Sequence, residues 1–366
     1  MGTTSDYGLG EYVFPRGWFM VAEAAELDGG PIAVRFFAND FVIFRGASGR
    51  IVMLDAYCPH MGTHLCQNTT SYIVRDGTQV QGDSIRCPYH AWRFGPDGVC
   101  DDIPYAKRIP AAARVRAYMA VERAGAIFMW HDPEESGPEE GAPDFDLPEF
   151  AQWDDPAWVR WKFDHMGELP SHPIEILYNL ADMAHLGPVH AAPVEYFEDE
   201  IKGHICIQRQ GGRSRTLVDG DALLETDSWY LGHGVMQSTM TGQMDSLMII
   251  AHTPVEDGVT KVWHALMVKG QGIVDGRPVA TDADIAVARA YQEASRQAFA
   301  QDFEIWTYKK PAANIMQIPE DGPFHKVKLW VSQFYNPRAR TADILARAEG
   351  FHGAGAMPRT KADIAA

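Results

Sequence analysis

The chain has 366 residues, 46% apolar and 22% charged, an ordinary globular composition long enough for two domains with separate cores. Its formal net charge of −17 argues against nucleic acid and anionic membrane as partners, and no run of 18 uninterrupted apolar residues offers a membrane span. The start MGTTSDYGLG lacks the basic and apolar regions of a secretory signal and has Asp6 where a myristoylation motif wants Ser or Thr, so the expected location is cytoplasmic.

Residues 12–55 read as short strands, with aromatic and β-branched runs at 18–22, 32–37 and 41–44 punctuated by Gly29-Gly30, Asn39-Asp40 and Gly46. Residues 51–57 then lead into Cys58-Pro59-His60, and after 26 intervening residues comes Cys87-Pro88-Tyr89-His90. Two thiolates and two imidazoles in paired loops suit a Rieske [2Fe–2S] cluster, in which two Cys hold one iron and two His the other. Neutral imidazoles in place of two thiolates raise the potential and make the cluster a one-electron relay. Cys₂His₂ is also a zinc ligand set, but zinc sites usually pair like with like, as C-x₂₋₄-C and H-x₃₋₅-H. The other cysteines, Cys66, Cys100 and Cys206, leave an odd total of five, which argues against a disulfide framework and reads as packing. Further strands are expected near 92–94, 114–122 and 126–130. Between Arg86 and Arg123 stand seven basic residues against four acids, a face suited to an acidic electron donor or simply to solvent.

The stretch 132–157, rich in Pro, Gly and acids, reads as a linker between an all-β unit (1–131) and a second domain (158–366). In that second domain a helical stretch at 173–186, strand-like runs from 201 to about 269 and a long helix near 282–308 predict an antiparallel sheet with helices packed on it. The fold class is therefore α+β. The tail after about 340 reads as loosely held.

On a helix, Asn179, Asp182 and His185 recur at i, i+3 and i+6 among apolar neighbours, forming a polar stripe. His185 and His190 lie about 140° apart on an ideal helix and could not share a metal there. Gly187-Pro188 breaks the helix and lets His190 swing back. A 2-His-1-carboxylate set leaves open positions for O₂ at Fe(II), and the best carboxylate is Asp302, with Ala298 and Phe299 one turn before it and Ile305 and Trp306 one turn after. Glu304 sits on a face that reads as solvated. Asp182 can accept the free N–H of a ligating imidazole. His64, His165, His172, His233, His252 and His264 read as packed or surface histidines.

With C-x-H…C-x-x-H, N-x-x-D-x-x-H-x-x-x-x-H and a late Asp in order, the chain resembles the oxygenase subunit of Rieske non-haem iron oxygenases. Within them it looks most like the 3-ketosteroid 9α-hydroxylase oxygenase component, over about residues 12–340. The stretches Asp55-Ala56-Tyr57-Cys58, Ile103-Pro104-Tyr105-Ala106-Lys107-Arg108, Trp130-His131-Asp132-Pro133, Gln301-Asp302-Phe303-Glu304-Ile305-Trp306 and Glu320-Asp321-Gly322-Pro323 carry the likeness. The resemblance implies a homotrimer in which one subunit's cluster faces its neighbour's iron through Asp182. It also implies electrons from NADH through a separate reductase or ferredoxin.

The expected reaction is O₂-dependent monooxygenation of a bulky hydrophobic substrate, a 3-ketosteroid first. Cys58, His60, Cys87 and His90 hold the cluster; His185, His190 and Asp302 hold mononuclear Fe(II); Asn179 supports them. Two departures bear on the substrate: residues Asn68–Gln81 look inserted, and Leu186-Gly187-Pro188-Val189 replaces aromatic residues. Alternatives are hydroxylation of a terpenoid, demethylation of an aromatic ether, or a Rieske electron carrier without catalytic iron.

Overall fold

The computed structural model describes residues 1–134, 143–213, 223–318 and 321–353. It divides into two units, Gly17–Asp146 and a second made of Met1–Arg16 with Leu147–Ala366. The first sixteen residues thus belong with the later part of the chain, not with the strands that follow them. Arg16 donates to the carbonyls of Gln333 and Asn336, Thr4 meets His172, and the Tyr7 hydroxyl donates to the buried Glu175.

In the first unit the aromatic and β-branched runs form three small antiparallel sheets. Gly17–Glu23, Ala126–His131 and Ala120–Arg123 make one; Ile32–Phe36, Asn39–Arg45, Ile51–Asp55 and Ala117–Tyr118 another; Val80–Gln81, Ser84–Arg86, Arg93–Phe94 and Cys100–Asp102 the third. The first hairpin turns at Phe37-Ala38, both at positive φ (53° and 56°), rather than at Asn39-Asp40, which pair within the ladder. A two-residue turn of this hand matches strand twist and normally uses Asn-Gly. Here the Phe37 ring lies flat on His131 at 4.0 Å, a contact no local turn signal encodes. The core gathers Val42, Phe44, Leu54, Leu65, Ile85 and Phe94 around Cys58, Cys87 and Cys100. Asn68–Gln81 contains a short helix, Tyr72–Arg75, tied back by the Ser71 hydroxyl to the Pro88 carbonyl at 2.8 Å.

The second unit is a nine-stranded antiparallel sheet. Its order is Trp158–Val159, Val259–Lys269, Ser246–Glu256, Val235–Thr241, Leu224–Leu231, Ile205–Gly212, Val194–Lys202 and Gly350–Gly353, with Asp164–Leu169 also paired to Val259–Lys269. The long helix Asp282–Tyr308 opens on a capping box, Thr281 with Asp284, and lays Ala288, Tyr291 and Phe299 against the sheet. The tail after 340 is not loose over its described part. Helix Thr341–Ala348 buries Ile344 and Ala348, and Gly350–Gly353 adds the edge strand; residues beyond 353 lie outside the described part.

The expected helix over 173–186 is shorter. It runs from Ile174 to Leu177, tightens to a 3₁₀ turn through Ala181 and stops at Asp182 (φ −99°, ψ 85°). A second helix, Leu186–His190, contains Gly187-Pro188 in its first turn. Proline is tolerated there because the first backbone N–H groups of a helix have no intrahelical partner. Asn179, Asp182 and His185 therefore share no helical stripe, and the break that brings His185 and His190 together lies at 182–185, not at Gly187-Pro188.

Candidate metal centres

The two Cys/His loops have one backbone plan. The Cys58 N–H donates to the Thr63 carbonyl (2.9 Å) and the Cys58 carbonyl accepts from Gly62 (2.9 Å). Cys87 repeats the pattern with Trp92 (2.7 Å) and Ala91 (3.0 Å). The fifth residue of each loop is left-handed, Gly62 at φ 70° and Ala91 at φ 60°. Each loop thus turns its Cys inward and its His outward. Cys58 and Cys87 are buried, whereas His60 is exposed and His90 half-buried. The imidazole centroids are 4.7 Å apart, and His60 stacks on Trp92 at 4.6 Å.

The Cys58 and Cys87 thiols are in hydrogen-bond contact, which lowers the proton affinity of Cys87 and raises that of Cys58. The thiolate form of such a pair is the metal ligand. A tetrahedral zinc would draw its four donors within about 4 Å of one another. Among the described residues, only His185, His190 and Asp302 form a group whose donor atoms all lie within 4.8 Å. Two sulfurs at depth and two imidazoles at the rim fit a two-iron cluster better than one ion.

That other group is built from three elements. His185 caps the helix Leu186–His190, His190 ends it, and Asp302 projects from the long helix, 7% exposed between buried Phe299 and Trp306. Ile305, expected on the same apolar face, is 47% exposed, and Glu304 is exposed as expected. The Nδ1–H of His185 donates to the Asp182 carbonyl at 2.7 Å, and that of His190 to Gln301 Oε1 at 2.9 Å. Both imidazoles therefore turn an Nε2 lone pair inward, 3.9 and 3.2 Å from Asp302 Oδ1. Three electron-rich atoms converging in this way ask for a cation. Burial lowers the proton affinity of His190, but the Asp302 carboxylate outweighs it and the net shift is upward. The residues present fit a facially bound divalent iron.

Around the triad, the Asn179 amide donates to Asp302 Oδ2 at 3.2 Å, fixing the carboxylate. Asp182 accepts from the His185 N–H at 3.2 Å, and its Oδ2 lies 3.6 Å from His185 Nδ1. Burial would raise its carboxyl, yet the contacts with His185 bring it below the ordinary value. Two supports carried no signal in the sequence. Gln301 stands beside Asp302 on an otherwise solvated face, and Gln208 comes from a distant strand to bond the carbonyls of Asn179 and Leu180. Replacing Gln301 by Ala is expected to weaken iron binding about 10–100-fold without touching the visible spectrum of the cluster, as read by chelator competition.

Gly322 abuts the same loop. A Cβ there would stand 1.8 Å from the Ala181 carbonyl oxygen, one residue before Asp182. Gly322→Ala is expected to lower stability by about 1–3 kcal/mol, seen as a fall in melting temperature, and to loosen the iron.

The triad opens into a cavity between the sheet and the long helix. Its wall mixes Ile176, Met236, Met248 and Ile250 with polar side chains from the strands, and most of its surface is apolar, the makeup of a site for a largely apolar molecule. Among the described residues, no helix is long and apolar enough to cross a membrane.

The Rieske [2Fe-2S] domain model matches residues 17–118, and the 3-ketosteroid 9alpha-hydroxylase C-terminal domain model matches residues 129–335. The 3-ketosteroid-9-alpha-monooxygenase oxygenase component of Mycolicibacterium smegmatis is 33% identical over 335 residues, 88% of this chain and 82% of that protein. The cholesterol 7-desaturase of Xenopus laevis is 26% identical, over 88% of this chain and 72% of its own. Among solved structures, dicamba monooxygenase bound to 3,6-dichlorosalicylic acid aligns with a TM-score of 0.66 at 17% identity, covering 92% of this chain and 99% of that one, which shows a shared fold.

Proposed function

The chain belongs to the Rieske oxygenases that carry the 3-ketosteroid 9α-hydroxylase C-terminal domain, and from that membership we propose that it is the oxygenase component of a steroid monooxygenase. The observation that carries the reading is the convergence of His185, His190 and Asp302 on one point in the wall of an apolar cavity. The proposed reaction is R–H + O₂ + 2e⁻ + 2H⁺ → R–OH + H₂O on a 3-ketosteroid. The bound cluster would supply single electrons, and the bound iron the activation of O₂.

In this reading Cys58 and Cys87 would hold one iron of the cluster and His60 and His90, the more exposed pair, the other. His185, His190 and Asp302 would hold the mononuclear iron, and the carbonyl of Asp182 and the amide of Gln301 keep each imidazole's Nε2 turned toward Asp302. Asn179 locks the carboxylate of Asp302. The carboxylate of Asp182, its side chain 32% exposed, is the group we assign to meet a neighbouring subunit's cluster imidazole in a homotrimer. The apolar wall binds the substrate and excludes water. Electrons come through a separate reductase, with NADH as the proposed source, and the proposed location is cytoplasmic.

The test is turnover with a surrogate NADH-dependent reductase and 4-androstene-3,17-dione. Product carrying one added oxygen, formed in step with O₂ uptake, is expected. No conversion of any 3-ketosteroid would remove the steroid from the proposal, with terpenoids and aromatic ethers next to be screened.

A further inference from the structure

Most polar side chains of the cavity wall have a hydrogen-bond partner in the protein. Asn179 is bonded to Asp302, Gln208 to two backbone carbonyls, Ser228 to Ser238 at 2.5 Å, Tyr230 to His252 at 3.0 Å and Ser295 to His264 at 2.9 Å. Gln210 differs. It lines the cavity, and its buried Oε1 has no hydrogen-bond partner among the described residues. Leaving a buried amide oxygen unpaired is costly, so native proteins rarely do it without a ligand or water to complete the set. Gln210 stands two residues beyond Gln208, hence on the same face of the strand Ile205–Gly212, and its cross-strand partner is Thr226, another residue of the cavity wall. The amide and hydroxyl sit side by side in a row completed by Met240, one strand further on.

We propose that Gln210, with Thr226 beside it, is the anchor for an oxygen function of the substrate, a ketone or hydroxyl remote from the carbon that is oxidised. This rests on the steroid reading above and adds to it a specificity-determining residue. An amide can turn its NH₂ toward a ketone or its Oε1 toward a hydroxyl, so either oxygen function is served by the same side chain. Anchoring one end of a rigid, mostly apolar molecule selects which carbon faces the triad.

The test is calorimetric binding to the iron-loaded holoenzyme of three steroids: 4-androstene-3,17-dione, 4-androsten-3-one, which lacks the 17-oxygen, and 4-androsten-17-one, which lacks the 3-oxygen. Gln210→Leu is expected to bind the dione and one of the two monoketones about threefold to tenfold more weakly, the range for one neutral hydrogen bond. The monoketone lacking the anchored oxygen should bind wild type and variant alike. Gln210→Glu keeps the shape without the N–H donors and should reproduce the loss for a ketone; it also serves if the Leu variant does not fold. Equal losses for all three steroids, or none, would refute the anchor while leaving the steroid reading intact. Failure of the wild type to bind any of them would overturn both.

Discussion

Asp302→Ala keeps the visible spectrum of a [2Fe–2S] cluster, drops the iron content from about three per chain to about two, and ends hydroxylation. The effect is electrostatic. His185 and His190 each direct an Nε2 toward Asp302 Oδ1, at 3.9 and 3.2 Å, and two neutral imidazoles alone do not fix a hard divalent ion in a largely buried site. The carboxylate supplies the negative charge and the third vertex, and Asn179 holds its other oxygen. Iron affinity should fall by more than the roughly 100-fold that loss of a hydrogen-bonding support can cost. The cluster's donors lie in a different unit of the chain, so its spectrum is untouched. Retention of activity in this variant would show that Asp302 is not the third ligand.

Asp182→Asn is expected to leave both metal contents near wild type and yet slow product formation about 10–100-fold, because the proposal places it on the electron route and not among the ligands. The backbone carbonyl of Asp182, which orients His185, survives the substitution. What changes is the carboxylate, 3.6 Å from His185 Nδ1 and held below its ordinary proton affinity by that neighbour. An amide in its place removes a charge and presents an N–H where an acceptor is needed. Chemically reduced protein mixed with substrate and O₂ should show slow cluster reoxidation. Wild-type reoxidation in the variant would assign Asp182 a purely local role.

Much of this was readable in the chain because ligand chemistry is local. C-x-H and C-x-x-H state both the donor types and their pairing in loops, and a carboxylate between Phe299 and Trp306 on a long helix announces an expensive burial. What could not be read depends on where distant backbone closes. The helix at 174–181 stops at Asp182 with Gly322 packed against the Ala181 carbonyl, a contact spanning about 140 residues of chain. Pro188 reads as a breaker, yet within the first turn of a helix it breaks nothing. Gln301 and Gln208 were invisible because an amide that supports a ligand looks like any surface amide until its acceptor or donor is in place. The tail misled for the same reason. Small residues after 340 suggest looseness, but Ile344 and Ala348 find a buried place and the edge strand finds Val194–Lys202.

The central proposal is that one chain joins a cluster to a separate oxygen-activating iron that works on a steroid. The direct measurement is a single turnover of chemically reduced, iron-loaded protein with 4-androstene-3,17-dione under ¹⁸O₂, with the product analysed by mass spectrometry. One labelled oxygen atom in a hydroxylated steroid is the predicted result. Cluster oxidation with no labelled product, from protein holding about two irons per chain, would contradict the account and leave an electron carrier.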